Sequence, residues 1–242
     1  MTTTTELAPA WPPSLRDRTV VITGGFGALG TALGEALLNA GARVALIDKT
    51  SARPAGSLHG AMFLGSVDLC DAESTQRALR AAVEHFGRLD ALVNVAGGFR
   101  WEPVATGCVA TWQHLFDVNL RTALIASQAI LPHMLERRSG RVVNIGSLGA
   151  VQAERGMGAY AASKAAVARL TEALAAEVKE HGITVNAILP SVIDTPANRK
   201  AMPDAESQHW LAPVALAHVV MFLLSDAAAA VNGALIPVKG SA

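Results

Sequence analysis

The sequence predicts an α/β protein, a doubly wound parallel sheet of about seven strands with helices on both faces. Short apolar, β-branched runs alternate along the chain with longer helical patterns, and the runs are apolar throughout. Continuously apolar strands are typical of a parallel sheet that is covered on both faces. The length of 242 residues suits one such domain, and the chain shows no internal repeat or second domain boundary.

The predicted elements follow one another as strand and helix. The predicted strands cover residues 19–23, 43–48, 61–68, 89–97, 140–147, 183–189 and 234–238. The predicted helices cover residues 28–41, 72–86, 109–135, 158–181 and 213–225, the first ending at Gly41, a residue type common where helices stop. Ligands of such folds bind beyond the carboxyl ends of the strands, so the residues that follow each strand are the candidates for function.

Composition narrows the classes of function. Lys plus Arg and Asp plus Glu each number 20, and no long basic run occurs, so nucleic acid and anionic membranes are not expected partners. We expect the two cysteines, Cys70 and Cys108, to be reduced thiols in a cytoplasmic protein. Residues 1–15 lack the features of a secretory signal, and we expect a flexible tail there and a single domain over 16–242. No membrane span and no metal site are expected.

A glycine-rich loop follows the first predicted strand. The stretch "VVITGGFGALGTA" contains G-x-G-x-x-G at Gly25, Gly27 and Gly30, between a strand and a helix. In that context glycines make a tight turn and let backbone amides approach a pyrophosphate, and the helix N-terminus adds a favourable dipole. The same glycines could merely form a tight turn, so the motif alone is a weak signal.

Acidic residues after the next two strands bear on the cofactor. Asp48 lies 18 residues after the last glycine of the loop, where it can accept hydrogen bonds from ribose hydroxyls and would repel a 2′-phosphate. This favours NAD over NADP, although Lys49 and Arg53 nearby weaken the preference. Asp68 can hydrogen-bond the adenine amino group. The alternative role for Asp68 is to cap the next helix, which Asp71 fits better.

A tyrosine and a lysine four residues apart are the first candidates for chemistry. Tyr160 and Lys164 share one helix face in "YAASK", and Tyr160 is the only tyrosine of the chain. A nearby lysine stabilises a phenolate and lowers its pKa from about 10, and it can also hold a nicotinamide ribose. Ser147 follows the fifth strand and can hydrogen-bond a substrate oxygen. Asn119, in mid-helix, could hold a water that links Lys164 to solvent or bond a neighbouring strand.

Eight landmarks in order along the chain carry a family resemblance. They are "TGGFGALG", Asp48, "VDL", "NVAGG", "DVNL", "VVNIGS", "YAASK" and "LPSVIDTP". With this set spread over residues 19–240, the chain resembles a short-chain dehydrogenase/reductase of the single-domain type. The resemblance implies a Rossmann fold and hydride transfer between a nicotinamide cofactor and a substrate carbon.

The resemblance also implies roles for individual residues. Ser147, Tyr160 and Lys164 would form the catalytic triad, with Asn119 as a fourth member that supports a water-linked proton relay. Tyr160 would be the acid in reduction and the base in oxidation, Ser147 would orient the oxygen, and Lys164 would bind ribose and tune Tyr160. The implied cofactor contacts are Thr23, Gly24, Gly25, Phe26, Gly27, Ala28, Leu29, Gly30, Asp48, Asp68, Leu69, Asn94, Ala96, Gly97, Tyr160, Lys164, Pro190, Ile193 and Thr195.

The chain departs from the family pattern at a few positions. The family glycine motif is TGxxxGxG, which Thr23, Gly24 and Gly30 match, while Ala28 stands at the middle glycine and Gly27 is shifted by one. "NVAG" stands in place of "NNAG", and Pro-Ser in place of Pro-Gly after the sixth strand. None of these changes removes an acid, a base or a phosphate-facing backbone group.

A narrower resemblance leaves the substrate open. Quinonoid dihydropteridine reductases, which prefer NADH, have a similar "GGxGALG", "VAGG" and lid segment, here "DTPANRKAMPDAESQHW" at 194–210. They lack the catalytic serine, because their imine-like substrate has no alcohol oxygen to position, whereas this chain retains Ser147. The segment "LRTALIASQAILPHMLERRSGRVVNIGS" resembles instead ketone reductases such as 3-oxoacyl carrier-protein reductases. We favour a small carbonyl or alcohol substrate and keep the pterin as the alternative.

The remaining expectations concern the substrate pocket, the oligomeric state and whether the chain is an enzyme. Candidate pocket walls, for which ordinary core or lid packing is an equal alternative, are Phe99, Trp101, Met157, Met202 and Trp210. By resemblance, the long helices 109–135 and 158–181 pair across a two-fold axis and give a homodimer or homotetramer. A non-catalytic dinucleotide-binding sensor is a further alternative, although such relatives usually lose the tyrosine or the lysine, and both are present here.

Overall fold

Seven parallel strands form one sheet in the order β3-β2-β1-β4-β5-β6-β7 in the computed structural model, which describes residues 13, 15–54 and 58–240. The strands are β1 (Thr19–Thr23), β2 (Arg43–Ile47), β3 (Met62–Leu64), β4 (Ala91–Asn94), β5 (Gly140–Ile145), β6 (Ile183–Pro190) and β7 (Leu235–Val238). The α-helices are α1 (Ala28–Asn39), α2 (Ala72–Phe86), α3 (Val109–Phe116), α4 (Thr122–Arg137), α5 (Gly158–Val178), α6 (Pro196–Ala201) and α7 (Pro213–Leu224). The predicted fold class is confirmed.

The strand order reverses at β1, which has β2 on one side and β4 on the other. Thr23 at the end of β1 pairs with Ile47 of β2 and with Asn94 of β4, so the carboxyl ends of the three strands meet. The crevice outside such a reversal is where open α/β sheets bind ligands. The segments that follow β1, β2 and β4 therefore surround one crevice.

The core lies in two layers, one on each face of the sheet. Val20 and Ile22 of β1 pack in a cluster with residues of α1 and α7, whereas Val21 packs with residues of α2, α4 and α5. Because successive side chains of a strand point to opposite faces, every residue of β1 is buried. This two-sided burial is the physical reason why the strands are mainly apolar on both faces.

The start of the domain differs slightly from the prediction. Leu15, assigned to the predicted tail over 1–15, has 1% of its surface exposed and packs in the layer of α1 and α7. Its backbone N–H donates to the Ala40 carbonyl at 3.0 Å. Burial of a leucine side chain stabilises by about 2 kcal/mol, so the ordered chain begins before residue 16. Residues 1–12 and 14 lie outside the described residues.

Two predicted strands are longer than the observed ones. β3 covers only part of the predicted strand 61–68, because Gly65 follows it and Ser66 adopts a left-handed backbone with φ of 60°. The predicted strand 89–97 contains β4 but continues past it, where the backbone N–H groups of Val95 and Ala96 bond a side chain of β1 instead of a neighbouring strand.

The predicted helices are observed, with one interruption and one addition. The helix predicted at 109–135 is α3 and α4, joined by a π-helical segment over Asp117–Arg121. The sequence analysis did not predict α6, although Thr195 caps it and Pro196 opens it, which is a common helix start. Gly41, after α1, has a φ of 87°, as a C-terminal glycine does. Both cysteines, Cys70 and Cys108, are free.

The most apolar helix, α7, packs on the core. Leu216, Val220 and Leu223 of this helix are completely buried in the layer that it shares with α1. Among the described residues, no helix combines the length and apolarity that crossing a membrane requires.

Candidate active site

The glycine loop after β1 makes the tight turn that the sequence predicts. Gly24 has a φ of 64°, and a Cβ atom there would lie 2.8 Å from backbone atoms of Ala96. A Cβ on Gly25 would lie 2.7 Å from Leu46 Cβ, and one on Gly30 would overlap the Gly24 carbonyl oxygen. These three positions require glycine, because a side chain would collide with neighbouring atoms.

Gly27 is less constrained than the other glycines of the loop. It has a φ of −74° as the N-cap of α1, and its added Cβ would meet only the Gly24 carbonyl oxygen, at an ordinary 3.4 Å. The geometry therefore follows Thr23-Gly24 and Gly30 of the TGxxxGxG pattern, not the literal G-x-G-x-x-G. No side chain caps α1, so its first-turn amides are the kind of donors that bind pyrophosphate.

Asp48 lies directly behind the glycine loop. Its Oδ2 accepts a hydrogen bond from the Phe26 backbone N–H at 3.0 Å, and its Oδ1 accepts one from the Thr50 N–H at 3.1 Å. The Phe26 ring packs against the Phe63 ring of β3, with centroids 5.8 Å apart. The carboxylate is thus held at the crevice, where a ribose bound to the glycine loop would reach it.

The two cations near Asp48 have partners of their own. Lys49 Nζ lies 3.4 Å from Asp68 Oδ2, and the Arg53 guanidinium lies over the Phe63 ring at 4.8 Å. The Cys70 backbone N–H donates to Asp68 at 3.0 Å and, together with Lys49, lowers the pKa of that carboxyl. The helix cap is Asp71, which accepts from two N–H groups of α2, so the predicted capping role of Asp71 is confirmed, and the contact of Asp68 with adenine stays a prediction.

A buried polar network joins the ends of β1, β4 and β5. Thr23 Oγ1 accepts from the N–H groups of Val95 at 3.1 Å and Ala96 at 3.3 Å. Asn94 Nδ2 donates to Asn144 Oδ1 at 2.9 Å, and Asn144 Nδ2 donates to a threonine of α5. These bonds satisfy polar groups that would otherwise be costly to bury, and they set the path of the loop after β4. The Asn94 side chain is therefore hydrogen-bonded to other side chains of the protein.

Ser147 and Tyr160 meet at the carboxyl end of β5. The Ser147 hydroxyl accepts from the Gly149 N–H at 3.1 Å, and a Cβ on Gly149 would lie 3.4 Å from Ser147 Oγ and 3.8 Å from Tyr160 Cε1, so the two side chains lie side by side. Burial raises the pKa of Tyr160, and the interaction with Ser147 partly opposes that rise. Tyr160 is therefore a neutral phenol at neutral pH.

Lys164 is buried one helical turn after Tyr160. Only 6% of its surface is exposed, its Nζ donates to the Ile145 carbonyl at 2.8 Å, and burial lowers its pKa to about 8. A Cβ on Gly97 would lie 3.4 Å from Nζ, so the ammonium faces the loop after β4 at close range. Burial is the larger cause of the shift in the pKa of Tyr160, and the effect of Lys164 on that pKa stays a prediction.

Asn119 lies in the π-helical segment between α3 and α4. Its Oδ1 accepts from the Gly98 N–H at 2.9 Å, and its Nδ2 donates to the Gly98 carbonyl at 3.1 Å and to Ser163 Oγ at 2.9 Å. Its partners are thus a loop and α5, not a strand. π-helical turns inside α-helices frequently mark functional sites. Ser163 was not predicted, although its place three residues after Tyr160 puts it on the same helix face.

Two of the predicted pocket walls, Phe99 and Met157, lie beside Tyr160, and a third, Trp101, packs on the loop after β5. The Phe99 ring packs edge-to-face on the Tyr160 ring. Met157 Cε and Ser147 Oγ would each lie 3.4 Å from a Cβ on Gly149, beside Tyr160. Trp101 lies over Gly156, at the outer end of the same loop as Phe99.

The segment after β6 holds the remaining predicted residues. Thr195 Oγ1 accepts from the Asn198 N–H and caps α6, and Ile193 pairs with Leu211. Met202 and Trp210 bond through their backbones within this segment, and their role as pocket walls stays a prediction. Leu69 packs in the layer of α2, and Pro190 at the end of β6 pairs with Val238 of β7, so the cofactor contacts of both residues stay predictions.

The fold and this site define an oxidoreductase that uses a nicotinamide cofactor. The family model for short chain dehydrogenases matches residues 18–206. The chain belongs to the short-chain dehydrogenase/reductase family.

Individual relatives are similar over most of their length. The 2-(S)-hydroxypropyl-CoM dehydrogenase 3 of Xanthobacter autotrophicus is 33% identical, over 93% of this chain and 96% of that protein. An inactive 2-(S)-hydroxypropyl-CoM dehydrogenase 2 of the same organism is 35% identical, over 86% and 98%. The crystal structure of a levodione reductase has a TM-score of 0.83 at 30% identity, over 93% of this chain and 97% of that one.

Proposed function

We propose that the chain transfers hydride between NAD(H) and a small carbonyl or alcohol substrate, with Tyr160 as the acid and base. The observation that carries this proposal is that Ser147 and Tyr160 lie side by side near the buried Lys164, at the sheet edge that also holds the glycine loop. A bound nicotinamide would supply or accept the hydride. The residues of the chain supply the proton, the orientation of the substrate oxygen and the binding of the cofactor.

Proton transfer in this proposal belongs to Tyr160. In reduction the phenol donates its proton to the carbonyl oxygen, and in oxidation the phenolate takes the proton of the alcohol. The Ser147 hydroxyl orients that oxygen and stabilises the phenolate through its interaction with Tyr160. The Lys164 ammonium holds the nicotinamide ribose. Because burial raises the pKa of Tyr160, reduction is the direction that neutral pH favours, and oxidation gains at alkaline pH.

The preference for NAD rests on the surroundings of Asp48. The glycine loop and the uncapped start of α1 fit a pyrophosphate, and the Asp48 carboxylate lies behind them, where it would accept from ribose hydroxyls. The cations that would attract a 2′-phosphate, Lys49 and Arg53, contact Asp68 and Phe63. These contacts support a preference for NAD.

The carbonyl or alcohol substrate is supported by Ser147. Its hydroxyl is positioned next to the phenol, which a substrate with an oxygen at the reacting carbon requires and an imine-like pterin does not. The relatives named above carry substrate names of the alcohol and dione type. Reduction of a quinonoid pterin is the alternative activity, and the experiment below tests it.

The experiment is a turnover panel of small ketones, 3-oxoacyl thioesters and quinonoid dihydropterin, each with NADH and with NADPH. Wild type and Ser147→Ala are compared. We expect NADH-linked reduction of at least one carbonyl, and a loss of about 100-fold or more in Ser147→Ala. Turnover of the pterin alone, unaffected by Ser147→Ala, would overturn the carbonyl proposal.

The same panel decides whether the chain is a sensor instead of an enzyme. One relative is named inactive, so family membership does not by itself establish catalysis. The presence of both Tyr160 and Lys164 supports an active enzyme. Tight binding of NADH, measured by calorimetry, without turnover of any substrate would favour the sensor.

A further inference from the structure

Phe99 has an unusual combination of exposure and contact. Its ring packs edge-to-face on the Tyr160 ring, with centroids 5.0 Å apart and planes at 81°, a geometry that aromatic pairs prefer. Yet 55% of the surface of Phe99 is exposed. Packing around the ring is therefore too sparse to hold it against the phenol, and another part of the structure has to do so.

On its N-terminal side, Phe99 is held by the π-helical segment. The preceding residue, Gly98, is bonded through both its N–H and its carbonyl to the side-chain amide of Asn119, at 2.9 and 3.1 Å. Two hydrogen bonds to one buried amide fix the orientation of this peptide. Asn119 itself has 1% of its surface exposed, so it is a rigid anchor.

On its C-terminal side, the same loop is tied to the loop after β5. Trp101 Nε1 donates to the Arg155 carbonyl at 2.9 Å, and the Glu102 N–H donates to the Gly156 carbonyl at 2.7 Å. Gly156 has a φ of 75° and no side chain, which lets the Trp101 ring lie directly on it. The backbone around Phe99 is therefore held on both sides.

Asn119 also holds the backbone of Tyr160. Its Nδ2 donates to Ser163 Oγ at 2.9 Å, and that hydroxyl donates to the Tyr160 carbonyl at 2.7 Å. One buried amide thus bonds both the Phe99 loop and the helix that carries Tyr160. The distance between the two rings is set by this shared anchor.

We propose that Phe99 is a positioning residue for Tyr160, which holds the phenol ring in its place beside Ser147 and covers part of that ring from water. The inference rests on the proposed role of Tyr160 as the acid and base, and it adds the residue that places that acid. Small displacements of a catalytic group reduce rates strongly, so the contact matters for turnover.

The test uses the fact that Tyr160 is the only tyrosine of the chain. Protein grown with ring-labelled tyrosine gives one tyrosine signal in NMR spectra. We compare wild type, Phe99→Leu, Phe99→Ala and a control, Val214→Ala, whose side chain is also 55% exposed but lies on α7. The position of the signal at neutral pH, its pH dependence and the values of kcat and KM are measured in all four proteins.

We expect the tyrosine signal to shift in both Phe99 variants, because the ring current of Phe99 is lost, and to stay in place in Val214→Ala. The pKa of Tyr160 should fall in Phe99→Ala, where water reaches the phenol, and fall less in Phe99→Leu. The value of kcat should fall about 3- to 10-fold in both, as expected for loss of an aromatic pair.

Charged neighbours of Tyr160 are the same in every variant, so they cannot cause these shifts. On the elements around the phenol they are Lys164 on α5, Asp117 and Arg121 on the π-helical segment, Arg100 and Glu102 after β4, and Glu154 and Arg155 after β5.

The proposal is overturned if the signal of Tyr160 in Phe99→Ala matches wild type, or if KM rises while kcat is unchanged, since that result assigns Phe99 to substrate binding alone. If Phe99→Ala does not fold, Phe99→Leu must still shift the signal and lower kcat. The NMR measurements need no substrate. They therefore test the contact even if Tyr160→Phe retains full activity, a result that would defeat the proposed function separately.

Discussion

Lys164 shows what one buried charge does to this site. Its ammonium lies inside the protein, bonded to the Ile145 carbonyl, and its pKa is lowered from 10.5 to about 8 by burial. Between those two pH values the folded chain binds fewer protons at Lys164 than the unfolded chain does. Stability must therefore rise with pH across this window, and the penalty of the buried charge is present below it.

The free energy of unfolding of wild type relative to Lys164→Met should consequently increase by up to about 3 kcal/mol between about pH 8 and 10.5. Urea unfolding of both proteins across this range measures the difference, in which groups common to the two proteins cancel. A difference that does not change with pH would mean that Lys164 has an ordinary pKa in the folded protein.

Asp48 allows a second prediction for a single residue. Asp48→Ser removes the negative charge that would repel a 2′-phosphate and the acceptor for ribose hydroxyls. The ratio of kcat/KM for NADH to that for NADPH should therefore fall about 10-fold or more, the equivalent of about 1.4 kcal/mol. Glu84→Gln, which removes one carboxylate from the exposed face of α2, is the matched control and should leave the ratio unchanged. An unaltered ratio in Asp48→Ser would exclude Asp48 as the discriminating group.

Among the elements, the turn between β1 and α1 allows two glycine patterns to be distinguished, the literal G-x-G-x-x-G and TGxxxGxG. An added Cβ on Gly30 would overlap the Gly24 carbonyl oxygen, whereas on Gly27 it has room. Gly30→Ala should therefore lower the free energy of unfolding by about 2 kcal/mol or more, and Gly27→Ala should change it by less than about 1 kcal/mol. Thermal unfolding of the two variants is the measurement. Equal losses would indicate that the literal G-x-G-x-x-G describes the loop better than TGxxxGxG does.

The elements also show what sequence can predict and what it cannot. Tyr160 and Lys164 lie together because helical spacing is local, and Ser147 joins them because parallel strands end at one edge. Asp71 was recognisable as a cap. The end of β3 could not be predicted from the sequence, because it depends on the left-handed backbone of Ser66.

Tertiary contacts explain the other differences. The bonds that place Phe99 join Gly98 to a π-helical turn that no periodic pattern announces, since only the fold brings the two segments together. The short helix α6 is different, because its Thr195-Pro196 start was present in the sequence and could have predicted it.

For the whole molecule, we expect an oligomer that forms through the long helices. The small residues Ala165 and Ala166 of α5 are only partly buried, and α4 leaves Leu124 and Ile125 partly exposed. Small and apolar side chains let helices of two copies approach closely. We expect light scattering to give the mass of a dimer or tetramer, and Ala166→Glu to reduce it. A monomer at micromolar concentration would contradict the expectation.

The central claim is that one site binds a nicotinamide cofactor and that Tyr160 transfers the proton. The most direct test is the turnover of Tyr160→Phe with the best carbonyl substrate, measured together with the binding of NADH. Phenylalanine keeps the ring and removes only the hydroxyl. The account predicts that kcat falls at least about 100-fold while NADH binds within a few-fold of wild type. Turnover equal to wild type would contradict it.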